Sequence, residues 1–210
     1  MALSTYTELK AAIADFLNRD DLASTIPTFI ALAEAQINRD IRTMDMEGRA
    51  SGQISGGDQY MQVPADWVET IRLHLTAAGT SRVSLMSRDA IAALRQKNDD
   101  TSDAATYAYA HAAGQFELYP TPAQDTDFEL LYYKKVEALS DSNAANWLLS
   151  SAPDVYLYGA LLHSAPYLAE DARIQVWAQL YSSAVQNVNT ASDKARYSGS
   201  GLKMKVRGLG

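Results

Sequence analysis

Gly52–Pro64 reads GQISGGDQYMQVP, and here the chain changes its period. Before it, apolar residues recur every three or four positions; from here they alternate. Two short strands around a turn at Gly56-Gly57-Asp58 account for the stretch. The reading makes this a mixed chain, with helices at both ends and strands between.

Working back toward the start, Ser24–Met44 (STIPTFIALAEAQINRDIRTM) reads as a helix. Ser24 or Thr25 can cap it, and Pro27 suits a first turn, where its missing N–H is not needed. Ile26, Phe29, Ile30, Ala33, Ile37, Ile41 and Met44 form its apolar stripe. An earlier helix opens at Thr5-Tyr6-Thr7-Glu8, which has capping-box spacing. Its stripe is Tyr6, Leu9, Ile13, Phe16 and Leu17.

Working forward, Ile71, Leu73 and Leu75 alternate with Arg72, His74 and Thr76, the pattern of a half-buried strand. Arg82–Met86 continues as a strand, and a short helix runs from Ser87 or Arg88 to Lys97, with Ile91 and Leu94 inward. Asn98–Asp103 reads as a solvated acidic loop. Thr106–His111, Gln115–Tyr119 and Phe128–Lys135 follow as three consecutive antiparallel strands, with Gly114 in the first turn. Helices return near Ser150. Pro153 sits in a first turn, and Pro166 is expected to end or kink that helix. Tyr158, Leu161 and Leu162 belong to its stripe. The last helix is read over Asp171–Ala191, with Ile174, Trp177, Tyr181, Ala184 and Val188 on one face.

The expected fold class is α+β, mainly α. Four long helices from the N- and C-terminal segments form a bundle, with a central β-containing insertion and an extended C-terminal arm. The expected divisions are 1–48 (N-terminal helical pair), 49–146 (β-rich insertion with one short helix), 147–192 (C-terminal helical pair) and 193–210 (flexible basic arm).

Composition narrows the function. The chain has 210 residues and no cysteine, which removes disulfides, thiolate nucleophiles and thiolate metal sites and leaves the redox compartment open. No stretch approaches the roughly 18 uninterrupted apolar residues of a membrane span, and the start lacks the basic and apolar regions of a secretory signal. A soluble protein made in the host cytoplasm, with no membrane partner, is the expectation. His74, His111 and His163 show no ligand spacing. Asp99, Asp100 and Asp103 lack the central glycine and terminal glutamate of a calcium loop. No phosphate loop and no nucleophile elbow appear. No catalytic residue, metal or cofactor is therefore expected.

Two features remain. Tyrosine occurs twelve times, with Tyr107, Tyr109, Tyr119, Tyr132 and Tyr133 concentrated in the β-insertion. Exposed tyrosines favour partner contacts, whereas buried ones only pack a sheet. Charge is the second feature. The formal net charge is −7, yet Lys194, Arg196, Lys203, Lys205 and Arg207 follow the last acidic residue, Asp193. The first 193 residues thus hold 13 basic against 25 acidic residues, a net −12. The tail can bind nucleic acid non-specifically, it can be a chain end without a role, or it can be a docking arm. As an arm, Leu202, Met204 and Val206 alternate with Lys203, Lys205 and Arg207, which suits addition to a partner's sheet edge.

Thr5–Arg42 and Pro153–Val188, taken with the β-containing middle and basic tail, resemble the head–tail adaptor proteins of tailed bacteriophages, also called connector or head-completion proteins. The resemblance implies a structural virion protein without enzymatic activity. It implies a ring of about twelve subunits beneath the portal at the head–tail junction, binding portal and tail proteins, with DNA passing through without specific binding. It also implies that Leu202–Arg207 docks on the portal. A tail-side stopper or terminator ring protein is one alternative. A nucleic-acid-binding accessory protein using the basic tail is another.

Overall fold

A computed structural model describes residues 3–75, 81–97, 107–168 and 173–198. The chain divides into two compact units, Met46–Lys135 and the combination of Met1–Asp45 with Val136–Gly210.

The helical unit holds α1 (Tyr6–Leu17), α2 (Ile26–Asp40), α4 (Trp147–Ser151), α5 (Pro153–Leu168) and α6 (Ile174–Tyr197). The capping box of α1 is present: Thr5 Oγ1 accepts from the Glu8 N–H, and the Glu8 carboxylate accepts from the Thr5 N–H. Its last turn ends at Asn18 in the left-handed conformation. Tyr6, Leu9, Ile13 and Leu17 are buried as the stripe requires, but Phe16 is 52% exposed. On α2, Thr25 holds the cap position without a side-chain bond, and Pro27 sits in the first turn. That helix stops at Asp40. Ile41 is extended and buried, while Met44 opens a 3-10 turn, Met44–Met46, and is partly exposed.

The expected bundle of four long helices is not what forms. α5 is the hub, packed by α1, α2, α4 and α6. It buries Val155, Tyr156, Leu157, Gly159, Ala160, Leu161, Ser164 and Ala165, which lie all round its circumference rather than along one stripe. Gly159 makes this possible: a Cβ there would lie 3.2 Å from the Ala33 Cβ and 3.3 Å from the Tyr181 ring. Pro166 lies inside α5, which continues to Leu168. The short α4, capped by the Asn146 side chain, was not expected from the sequence. α6 runs through Tyr197 and so takes in Asp193, Lys194 and Arg196. The two basic residues there sit in the last turn, where the helix dipole favours cations.

The other unit is larger in organisation than a small insertion. Its strands are β1 (Glu47–Ile54), β2 (Tyr60–Gln62), β3 (Trp67–Leu75), β4 (Ser81–Leu85), β5 (Ala108–Ala112), β6 (Gln115–Tyr119) and β7 (Thr126–Lys134), with α3 (Arg88–Lys97) between β4 and β5. They form one seven-stranded sheet in the order β1-β7-β3-β4-β5-β6-β2. All pairs are antiparallel except β4 with β5. That parallel pair encloses α3, whose Ile91 is fully buried against Ala110 and Tyr119.

Two local expectations fail here for one reason. The glycine turn predicts that β1 and β2 pair, yet they occupy opposite ends of the sheet order. Sequence order predicts β7 as the third strand of a meander, yet it pairs β1 and β3. Long-range pairing overrides sequence adjacency in both. Because Ser55–Gln59 alone joins the two edge strands, the sheet must curl into a nearly closed barrel. The Gly57 N–H donates to the Pro122 carbonyl at 2.8 Å, which pins the turn to the segment before β7. Inside the curl, Ile54, Met61, Leu73, Phe116, Leu118 and Leu130 share one buried cluster.

Candidate interaction surfaces

The histidines lie apart. His74 is half-buried on β3, and His111 on β5 meets Tyr109 and Phe116 edge-on at 5.9 and 5.0 Å between ring centres and the tilted Trp67 ring at 5.0 Å. Burial holds the His111 imidazole below its ordinary value. His163 on α5 shares a 2.9 Å hydrogen bond with Gln36 on α2, and burial, then the Arg39 charge, hold it below its ordinary value too. Among the described residues no group of three or more histidines, aspartates or glutamates is placed to hold a metal. Asp99, Asp100 and Asp103 lie outside the described residues. So do Leu202, Lys203, Met204, Lys205, Val206 and Arg207.

Four of the five tyrosines singled out by the sequence are packing residues. Tyr107, Tyr109, Tyr119 and Tyr132 are buried, and Tyr133 is half-buried. Tyr109 and Tyr132 belong to the barrel core, and Tyr119 packs under α3. Tyr132 stays useful to the fold at its tip, since its hydroxyl donates to Asp66 at 3.0 Å. Alternation placed Tyr109, Tyr119, Tyr132 and Tyr133 correctly in strands β5, β6 and β7, whereas Tyr107 precedes β5. Alternation could not say that both faces of those strands are covered.

The exposed apolar residues are elsewhere. In the helical unit they include Phe16 on α1, Leu32 on α2, Tyr167 on α5, and Val176 with Leu180 on α6. Val176 and Leu180 are four residues apart and share one helix face, beside the stripe of Trp177, Tyr181 and Ala184 that packs inward. In the barrel unit, Leu85 is 59% exposed and lines a groove with Ile71, Arg72 and Tyr109. The groove opens where β4 leaves β3: β3 pairs β4 only over Leu73–Leu75, after which Ser84 and Leu85 turn to β5. Of these exposed apolar positions the sequence names only Phe16, as part of the α1 stripe, and there the structure exposes it.

Charged side chains on the barrel are tied to one another. Glu129 takes Arg49 at 2.7 Å and Arg72 at 3.7 Å on the outer face, exposed pairs of small energetic weight. Arg95 of α3 bonds Gln59 and the Leu118 carbonyl and lies 3.7 Å from Glu117. These residues hold α3 and the β2 turn in place.

Each unit carries exposed apolar side chains, and among the described residues no group of three or more ligating side chains is placed to hold a metal. A family model for the SU10 adaptor protein matches residues 4–204, nearly the whole chain, and the chain belongs to that family. The match bears out the resemblance to phage head–tail adaptors. Membership makes it a phage adaptor protein, a structural component of the virion that meets other virion proteins. No curated protein matches the chain. Among the described residues no helix is long and apolar enough to cross a membrane.

Proposed function

We propose that the protein is one subunit of a ring beneath the portal, joining capsid to tail and leaving a passage for DNA. The family match over residues 4–204 carries this reading. Charge supports it. The first 193 residues hold a net −12, and an acidic channel wall repels a polyanion in transit instead of binding it. Exposed Val176 and Leu180 on α6 offer apolar contact area to a neighbouring subunit. The segment Leu202–Arg207, basic and alternating, docks on the portal by adding to a sheet edge.

The test is the mass of the purified protein alone and mixed with the portal ring encoded by the same genome. Co-assembly in fixed stoichiometry, near one adaptor per portal subunit, is the expected result. Removal of residues 199–210 should abolish it while leaving the circular dichroism spectrum intact. An adaptor that ignores the portal ring at physiological salt overturns the reading. DNA binding that falls steeply with salt would then favour an accessory nucleic-acid protein.

A further inference from the structure

The barrel wall is broken beside Leu85. Antiparallel pairing of β3 with β4 holds at Leu75 with Ser81, His74 with Arg82 and Leu73 with Val83, and there it stops. Ile71 is the extra residue of a bulge against β7, and a bulge bends its strand. β3 thus swings away while β4 runs on beside β5. The Ser84 and Met86 N–H groups donate to the Tyr107 and Tyr109 carbonyls, at 3.1 and 2.9 Å. Backbone groups alternate along a strand, so the N–H and C=O of Leu85, between them, face the other edge, the one β3 has left.

Side chains mark the same gap. Val83 and Tyr109 belong to the barrel core and are 3% and 5% exposed. Leu85 lies two residues from Val83 and pairs Tyr109 in parallel register, which puts its side chain on their face. Yet it is 59% exposed, a core-facing leucine without its cover. The gap is a groove of about 380 Å³, with Thr70 and Ile71 on one bank and Ser84 and Leu85 on the other. Among the described residues Arg72 is the only charged one in its lining. It sits on the outer face, 3.7 Å from Glu129, whose other oxygen Arg49 holds at 2.7 Å. With its carboxylate shared and at that distance, Arg72 has donors to offer a second one.

We propose that a short extended segment of a partner protein fills this break by adding as a strand along β4. Its backbone completes the Leu85 edge, an apolar side chain covers Leu85, and an acidic side chain meets Arg72. Those two contacts lie on opposite faces of the sheet, so the segment alternates apolar with acidic residues. A chain that meets other virion proteins encounters such segments. Its own Leu202–Arg207 alternates apolar with basic residues and has the wrong charge. The slot rests on the pairing within the barrel and not on the ring proposed above.

The probe is a capped six-residue peptide alternating valine with glutamate, titrated into the full chain and followed by amide resonances and hydrogen exchange. Shifts centred on Leu85 and Ile71, with slowed exchange at the Leu85 N–H, are expected. The same peptide with lysine for glutamate should bind about fivefold more weakly, and Arg72→Glu should reverse that order. Leu85→Pro removes an N–H that faces away from β5, so the variant should fold and lose the peptide. If it does not fold, the Arg72→Glu reversal still decides. No shift at Leu85 with millimolar peptide overturns the proposal. So does an order of the two peptides that Arg72→Glu leaves unchanged, or a set of shifts centred on another strand edge such as β1. Shifts at Leu85 that grow with protein concentration alone make the occupant a second copy and overturn it too.

Discussion

Asn146 Nδ2 donates a 2.7 Å hydrogen bond to the hydroxyl of Tyr156, the largest fully buried side chain of the molecule's described residues. The same Asn146 caps α4 through its Oδ1, and the Tyr156 hydroxyl also reaches Glu34. One polar cluster thus ties α2, α4 and the hub helix α5 inside an otherwise apolar core. Burial pushes the Tyr156 phenol far above its ordinary value. Tyr156→Phe keeps the ring but leaves one amide proton without its acceptor and takes one of two donors from Glu34, which keeps the Leu139 N–H. A loss of about 1–3 kcal/mol is expected in a urea melt. No loss would mean that the ring alone matters.

Glu34 carries the pH dependence of that cluster. Burial raises its carboxyl above the ordinary 4.5, against the hydrogen bonds from the Leu139 N–H and Tyr156, which lower it. The folded state therefore holds a proton that the unfolded chain has already released. Between the ordinary value and the raised one, stability falls as pH rises, and above that window the loss is complete. Glu34→Gln accepts from Leu139 in the same way but does not titrate. Relative to wild type, the variant should gain stability as pH rises from about 4 to 7. Thermal melts across that range check it, and parallel curves would refute the assignment.

Gly159 on α5 lies against both Ala33 of α2 and Tyr181 of α6. With 3.2 Å to Ala33 and 3.3 Å to Tyr181, no β-carbon fits without a shift of packed atoms. Gly159→Leu should cost about 3 kcal/mol or leave the helical unit unfolded. Gly57, which has nothing near its absent side chain, is the control for the sheet. Its φ of +85° still penalises Ala, but by only about 1 kcal/mol. Denaturant midpoints of the two variants should differ accordingly.

Local signals were legible in the sequence, and pairing was not. The capping box at Thr5 and Glu8, the prolines at 27 and 153, and the stripes of α1, α2 and α6 are written in neighbouring residues. Strand periods were equally plain. Which strand lies beside which depends on contacts such as Gly48 with Tyr132 and Gly52 with Phe128, between residues far apart in the chain. The lack of a side chain at Gly48 and Gly52 makes room for the rings of Tyr132 and Phe128 on β7. The hub role of α5 was hidden for a similar reason: a helix apolar all round gives no direction to read. Interaction surfaces were the least legible, because an exposed Val176 and a buried Trp177 differ only by which neighbour covers them.

That last pair supplies the sharpest test of the ring. Val176 and Leu180 face outward on α6, 54% and 39% exposed, whereas Trp177 and Tyr181 beside them pack inward. Replacing both outer residues by aspartate removes apolar area from the surface without opening the core. Stability should move by no more than about 0.5 kcal/mol, as for surface changes generally. In a ring that uses this face, two carboxylates per subunit would be buried without partners at each junction, a cost that assembly cannot meet. The expected outcome is a folded monomer that no longer forms rings on the portal, measured by mass photometry beside wild type. Rings of unchanged stoichiometry would place the subunit junction on another face.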